Sequence, residues 1–428
     1  MSRRMFYGWW IVSALAISQT VGYGVLYYAF AVILTPMRRS LDATSTQVTG
    51  ALTLALLVSA VAAVPIGRHL DRHGGRALMT TGSIAATLLV AAWAAVDSLT
   101  QLYLVFAGLG LTFSMVLYEP AFAVVVTWFH QRRATALLAI TVVAGFASTI
   151  FMPLTGWLAD TYGWRTTLLV LAVIHGTITI PLHALIRRHP ADLGLHPDGA
   201  KSSTTPALSK TTDAERSAIA HAALRDPVFW TLVVAFVAHS AAVAVVGVHL
   251  VAYLLDLGHP AAFAATVTGL IGILSVTGRL ATTAAQRHRS PTTVVAAVFA
   301  LQALAALTLP LTGRNAVAAV ICVLALGLGF GVATIARPAL VAAQYGTTAY
   351  ATISGLLTLP LTLAKALAPL GAAVLLGATG SYTPVMIGVA AACATATAGL
   401  LTTGRLRTST RLPQPARPLP AITTNSST

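Results

Sequence analysis

The chain has 428 residues, of which 57% are hydrophobic and only 9% charged, with a formal net charge of +15. Soluble domains carry about 25% charged residues, so this composition excludes a water-soluble protein, which could not cover its surface. Nucleic-acid binding is excluded by placement, because the basic residues sit in short clusters between apolar runs and form neither a basic domain nor a stripe interleaved with aromatics.

The first apolar run covers 8–35. Arg3 and Arg4 precede it, but it is too long for a signal-peptide core and lacks a clear cleavage site, so it reads as a membrane-spanning helix. Further runs lie near 47–67, 77–96, 101–127, 134–158 and 165–186. After a polar gap come 228–255, 261–286, 291–310, 315–340, 348–376 and 381–403. A spanning helix needs about 20 apolar residues, so an all-α membrane protein with twelve transmembrane helices is expected. The expected organisation is six helices over 1–186, a cytoplasmic linker over 187–226, six more helices over 227–403 and a disordered tail over 404–428. Within the linker, the charged stretch around Asp213, Glu215 and Arg216 predicts a short amphipathic helix near 213–224. Cys322 and Cys393 fall inside apolar runs and read as buried small hydrophobes.

Orientation follows from the excess of Lys and Arg on cytoplasmic loops. With the N-terminus inside, the inner segments carry 19 of these residues and the outer loops 4, namely Arg38, Arg39, Arg165 and Arg314. Both termini are therefore expected in the cytoplasm, with the protein in the cytoplasmic (inner) membrane. The Arg38-Arg39 pair runs against this trend.

Two loops repeat a pattern. Gly67, Asp71, Gly74 and Arg76 stand at the same offsets as Gly156, Asp160, Gly163 and Arg165. One loop is expected inside and the other outside, each after the second helix of a three-helix group, as inverted repeats require. The second glycine of each set is expected in the left-handed conformation that ends a helix. Chance similarity between two helix-ending turns is the plain alternative.

Residues Gly67–Arg76 resemble the loop motif G-x-x-x-D-R/K-x-G-x-R/K of the major facilitator superfamily, and the six-linker-six plan agrees over 8–403. The resemblance implies two six-helix bundles around a central cavity, each of two inverted three-helix repeats, working by alternating access. It also implies a cytoplasmic gate latch at Asp71, Arg72 and Arg76. Gly8-Trp9-Trp10-Ile11-Val12, Trp128-Phe129 with Arg132-Arg133, Gly163-Trp164-Arg165 and Gly380-Ser381-Tyr382-Thr383-Pro384 look like the monocarboxylate and oxalate/formate porter branch. That branch places a cavity-facing Arg in helix eight, and some members add a Lys in helix eleven; Arg279 and Lys365 match these places. Ser275 stands where animal monocarboxylate porters carry an Asp.

An ionisable side chain at mid-bilayer costs several kcal/mol unless it is paired or hydrated, so each is a functional candidate. Lys365 lies near the centre of helix eleven between Pro360 and Pro369, which are expected to loosen the helix. Arg279 can clamp a carboxylate with two parallel hydrogen bonds, which Lys cannot; snorkelling to the interface is its alternative. Together they predict an anion site. Glu119 is either a proton-coupling group or a fixed counter-ion for one of the cations. Arg337, beside Pro338, reads as an interfacial anchor. His239 and His249 are further proton-coupling candidates, against plain polar satisfaction, and Tyr27 and Tyr28 are candidates to line the cavity.

The function these features predict is secondary transport of a small organic anion, a mono- or dicarboxylate, by proton symport or exchange. The alternative is a proton-driven exporter of drugs or amphipathic metabolites. No nucleophile–base spacing, metal cluster or ATP-binding loop appears, so neither an enzyme nor a cofactor is expected. The partners expected are the anion, protons and the lipid bilayer, with the chain working as a monomer.

Overall fold

The computed structural model describes residues 6–199 and 212–409, and its regular structure is helical throughout. Helices are what hydrocarbon demands, since a spanning segment must satisfy its backbone polar groups internally. Ten helices are long and apolar enough to cross on their own, and one of these, Arg133–Ala184, runs for 52 residues. A helix of that length would extend about 78 Å, far beyond a hydrocarbon core of about 30 Å. Gly163, at φ 78° and ψ 159°, breaks it in two. With Ala261–Ala285, bent between Gly272 and Leu274, the spans number twelve.

Spans 1 to 4 are Tyr7–Ser40, Ser45–His73, Gly75–Ala94 and Leu99–Trp128, and spans 5 and 6 are 133–162 and 164–184. Spans 7 to 12 are Pro227–Asp256, Ala261–Ala285, Pro291–Thr312, Ala316–Tyr345, Tyr350–Thr379 and Thr383–Ser409. Even-numbered crossing counts bring the linker back to the side of the first helix start, here termed the linker side; the opposite face is the far side.

Some sequence expectations change. Span 12 continues through Gly404 to Ser409, so the boundary expected at 404 falls inside a helix. The rest of the tail, with Lys201 and Lys210 of the linker, lies outside the described residues. Span 1 runs on past its apolar stretch to Ser40, which puts Arg38 and Arg39 in the last turn of a helix rather than in a loop. Unpaired carbonyls make that end of a helix partially negative, and cations there are stabilising. This gives a physical reason for a basic pair on the less basic face. Span 11 runs as one helix, Tyr350–Thr379, with Pro360 and Pro369 inside it.

The described parts of the linker, on either side of 200–211, are both fastened to the helices. The Asp198 carboxylate accepts the backbone N–H groups of His130, Gln131 and Arg132 at 2.9, 2.7 and 3.1 Å, which satisfies free donors at the start of span 5. The predicted linker helix is Asp213–Arg225 and opens with a Thr212/Glu215 capping box. Asp213 pairs with Arg72 of span 2 at 3.1 Å.

Packing differs between the two sides. Toward the linker side one apolar core joins both halves, uniting Leu70 and Val126 with Ala223 of the linker helix and with Phe229, Tyr350 and Ile353. Toward the far side each half keeps its own core, one around Phe30, Trp93 and Phe106, the other around Leu250, Val323 and Val389. Spans 2 and 11 cross at small residues, where Gly67 lies against the Ala351 backbone and Gly355 against that of Ala63 and Val64. No side chain fits there, as in other close membrane-helix crossings.

The repeated loops share a backbone conformation. Gly74 adopts φ 78° and ψ 176°, and Gly163 φ 78° and ψ 159°. Both fall in the positive-φ extended region, essentially reserved for glycine, and not in the left-handed helical region expected. An alanine Cβ at Gly163 would meet nothing within 4 Å, so any cost there is backbone strain alone. Gly163→Ala is expected to destabilise the protein by about 1–3 kcal/mol, seen as a lower melting temperature in detergent; an unchanged melting temperature would refute this origin.

Candidate functional site

Helix irregularities meet around the centre of the molecule. Span 4 breaks at Leu117 (ψ −156°) and restarts as Tyr118–Trp128, with Pro120, which lacks an N–H, in its first turn. That restart puts Glu119 beside free backbone donors, where the helix dipole favours a negative charge. Span 10 breaks at Gly331 into Ala316–Phe330 and Val332–Tyr345. Span 1 contains a π-helical turn over Gly24–Tyr28, where Gly24 is overlaid by the Phe151 ring of span 5. Such turns recur at functional sites.

Glu119 ties the halves together. Its Oε1 accepts from Arg337 Nη2 of span 10, and its Oε2 accepts from Ser354 Oγ of span 11 at 2.8 Å. Arg337 is therefore no interfacial anchor: it points inward to a carboxylate from the other half. The pair is not sealed, since the side chains of Glu119 and Arg337 are 27% and 14% exposed. Lys365, midway along span 11, is exposed and has no bonded partner among the described residues. It lies within electrostatic reach of Arg337 and Glu119.

Arg279 Nε donates to the Gly331 carbonyl at 3.2 Å and its Nη1 to the Thr141 carbonyl at 2.8 Å, so it bridges spans 8, 10 and 5. Both acceptors lie at or near helix breaks, which explains why their oxygens can take an extra donor. Arg279 thus links the two halves through its bond to span 5. Tyr23, Tyr28 and Tyr118 lie within its electrostatic reach. Tyr23 packs on Tyr118 with centroids 4.6 Å apart, and Tyr27 meets Tyr28 edge-on at 5.5 Å. Tyr27, at 36% exposure, is the more open of that pair.

The two candidate histidines, His239 and His249, each bond a neighbour, whereas the buried Nε2 of His175 has no hydrogen-bond partner among the described residues. His239 is buried, bonds Gln302 Oε1 through Nε2 at 3.0 Å and stacks on Phe299. His249 Nε2 donates to the Pro369 carbonyl at 3.0 Å. In the N-terminal half, His183 sits between Ser83 and Ser18, and His175 bonds Thr87.

The loop motif is built on a helix end. Asp71 Oδ1 accepts the Ala351 N–H at 3.0 Å, and Oδ2 accepts the Thr352 N–H and Oγ1 at 2.9 and 2.7 Å. The carboxylate thus covers the positive N-terminal end of span 11, while Arg72 turns to the linker helix and Arg76 is exposed. At the repeat, Arg165 bonds the Ala94 carbonyl at 2.7 Å and Asp97 at 2.6 Å. Asp160 is exposed and has no bonded partner among the described residues. The hydrogen bonds between the halves at Asp71, Glu119 and Arg279 lie in the linker-side portion.

Sequence reasoning missed Arg337, Ser354 and Asp198. The rule that singled out Lys365, an ionisable group inside a span, applied equally to Arg337; its place near the end of an apolar run concealed its depth.

Residues 15–369 match the model of the Major Facilitator Superfamily. Over 280 residues the chain is 30% identical to monocarboxylate transporter 13 of Rattus norvegicus, covering 64% of this chain and 60% of that relative. Over 186 residues it is 31% identical to monocarboxylate transporter 11 of Mus musculus, covering 42% of this chain and 40% of that relative. These matches thus span less than two thirds of either relative's length. The E. coli fucose:proton symporter FucP superposes with a TM-score of 0.71 at 14% identity, over 92% of this chain and 98% of that one. The proton:xylose symporter XylE, bound to 6-bromo-6-deoxy-D-glucose, gives 0.69 at 10% identity, over 94% and 96%. A family match across most of the chain makes this protein, on a twelve-span fold shared with two symporters, a member of the major facilitator superfamily.

Proposed function

We propose that this transporter carries a small organic anion, a mono- or dicarboxylate, across the cytoplasmic membrane by alternating access, coupled to protons or by exchange. The observation that carries this reading is Lys365, an exposed cation deep in a span with no bonded partner among the described residues. A charge so placed is costly unless hydrated or paired, and an anionic substrate is the partner that would complete it. Arg279 and Arg337 add positive charge against the one carboxylate of Glu119, so the region as a whole favours an anion. The relatives named as monocarboxylate transporters support the same chemistry.

The excess of Lys and Arg on the linker side supports a cytoplasmic assignment for that face. On that assignment the halves are joined on the cytoplasmic side, with Asp71 as the inner latch and Arg72 holding the linker helix to it. The repeat offers Asp160 as the counterpart, free now and available to an outer latch in the opposite state. Tyr27 and Tyr28 line the approach from outside.

Lys365→Ala is expected to lose carboxylate uptake in proteoliposomes by about tenfold or more, the scale set by a hydrogen bond to a charged group worth about 1.5–3 kcal/mol. Unchanged uptake would sink the reading. For coupling, Glu119→Gln is expected to abolish proton-driven accumulation while sparing exchange; full accumulation in this variant would remove Glu119 from the coupling step.

A further inference from the structure

Glu119 is a carboxylate on a tether, and its main partner is a guanidinium. We propose that Arg337 is itself a substrate-binding residue, held in reserve by Glu119, and that the incoming carboxylate takes Glu119's place on it. This rests on the anion-transport reading above and assigns Arg337 a role that its position in the sequence did not suggest.

Three observations carry the exchange. The first is chemical likeness: Arg337 already holds a carboxylate through Nη2, and a carboxylate substrate offers the same charge-assisted acceptor. The second is access, because both members of the pair are partly exposed rather than enclosed in a core. The third is placement. Lys365 reaches both electrostatically without bonding either, so an anion drawn to Lys365 arrives beside Arg337.

The exchange has consequences for charge and for shape. The groups facing Glu119 are Arg337 from span 10, Ser354, Lys365 and Tyr350 from span 11, and Tyr23 from span 1. Its Oε1 is held by Arg337 and its Oε2 by Ser354. Once a second carboxylate occupies Arg337, two like charges share the site, and the charged form of Glu119 becomes the costlier one. Glu119 then takes a proton from the water-filled side as the substrate binds, and returns it as the substrate leaves. One negative charge enters with one proton, so the site's net charge is unchanged. The same event cuts the bond from span 4 to span 10, one of the few ties across the seam. Substrate binding thereby loosens the joined side, and an empty site relatches it.

The test uses purified full-length protein in detergent, with acetate, pyruvate, benzoate and succinate as probes, measured by calorimetry from pH 5 to pH 8. Glu119→Gln removes the internal rival while keeping the side chain's shape. It is expected to bind the responding carboxylate about tenfold more tightly at neutral pH, as when a competent state rises from about a tenth to full occupancy, and to lose the pH dependence. Wild type is expected to take up a proton on binding, and Glu119→Gln none. Arg337→Lys, folded and monodisperse, is expected to lose the tight binding. Lys365-dependent binding that is equal in wild type and Glu119→Gln would overturn the exchange while leaving the anion site standing. Wild-type affinity in Arg337→Lys would do the same. No binding of any of the four carboxylates to either protein would overturn both.

Discussion

A charge inside a bilayer needs a partner, and in this protein the partners are drawn from opposite halves of the chain. Glu119 of span 4 meets Arg337 of span 10 and Ser354 of span 11, while Arg279 of span 8 reaches a carbonyl of span 5. Among the described residues neither Glu119 nor Arg337 bonds a partner within its own half, and a charge left unpaired in hydrocarbon costs several kcal/mol. The seam is therefore held in part by a need that neither half meets internally. Apolar packing cannot provide such a catch, because helices in lipid gain little from burying one more apolar face against another. Polar bonds at a few points can hold the halves together and still be released by water or a ligand.

The breaks in the helices belong to the same design. Leu117, Gly331 and the turn at Gly145 interrupt spans 4, 10 and 5 near these bonds. A broken helix frees carbonyls and N–H groups, and in a membrane these must be satisfied by side chains or by water. Arg279 does this for Gly331, and the restarted turn of span 4 presents Glu119. Irregular backbone and charged side chains thus account for each other, and both gather where the two halves touch.

The sequence was legible wherever a local pattern carries the physics. Span number followed from the lengths of apolar runs, and the glycine offsets of the two loops marked turns that share one backbone conformation. Lys365 stood out because it interrupts an apolar stretch near its middle. What failed was partnership. The ion pair of Glu119 with Arg337 joins residues separated by 218 positions, and no spacing rule registers that. The acceptors of Arg279 are backbone oxygens at or near breaks that composition does not announce. Arg38 and Arg39 were read as loop residues because hydropathy falls after Pro36, although the helix continues to Ser40. Hydropathy reports where lipid ends, and a helix need not stop there.

The contact of Asp71 with span 11 uses mainly backbone donors, the N–H groups of Ala351 and Thr352. The carboxylate thus recognises the end of a helix more than any particular side chain. Position 351 is free to drift over evolutionary time among all residues small enough for the crossing with Gly67, with proline barred because it has no N–H to give. Asp71 has no such freedom, since a single methylene more or less would move both oxygens off their donors. A comparison of related chains would then show an invariant acid facing a variable partner, a pattern that pairwise co-variation would miss.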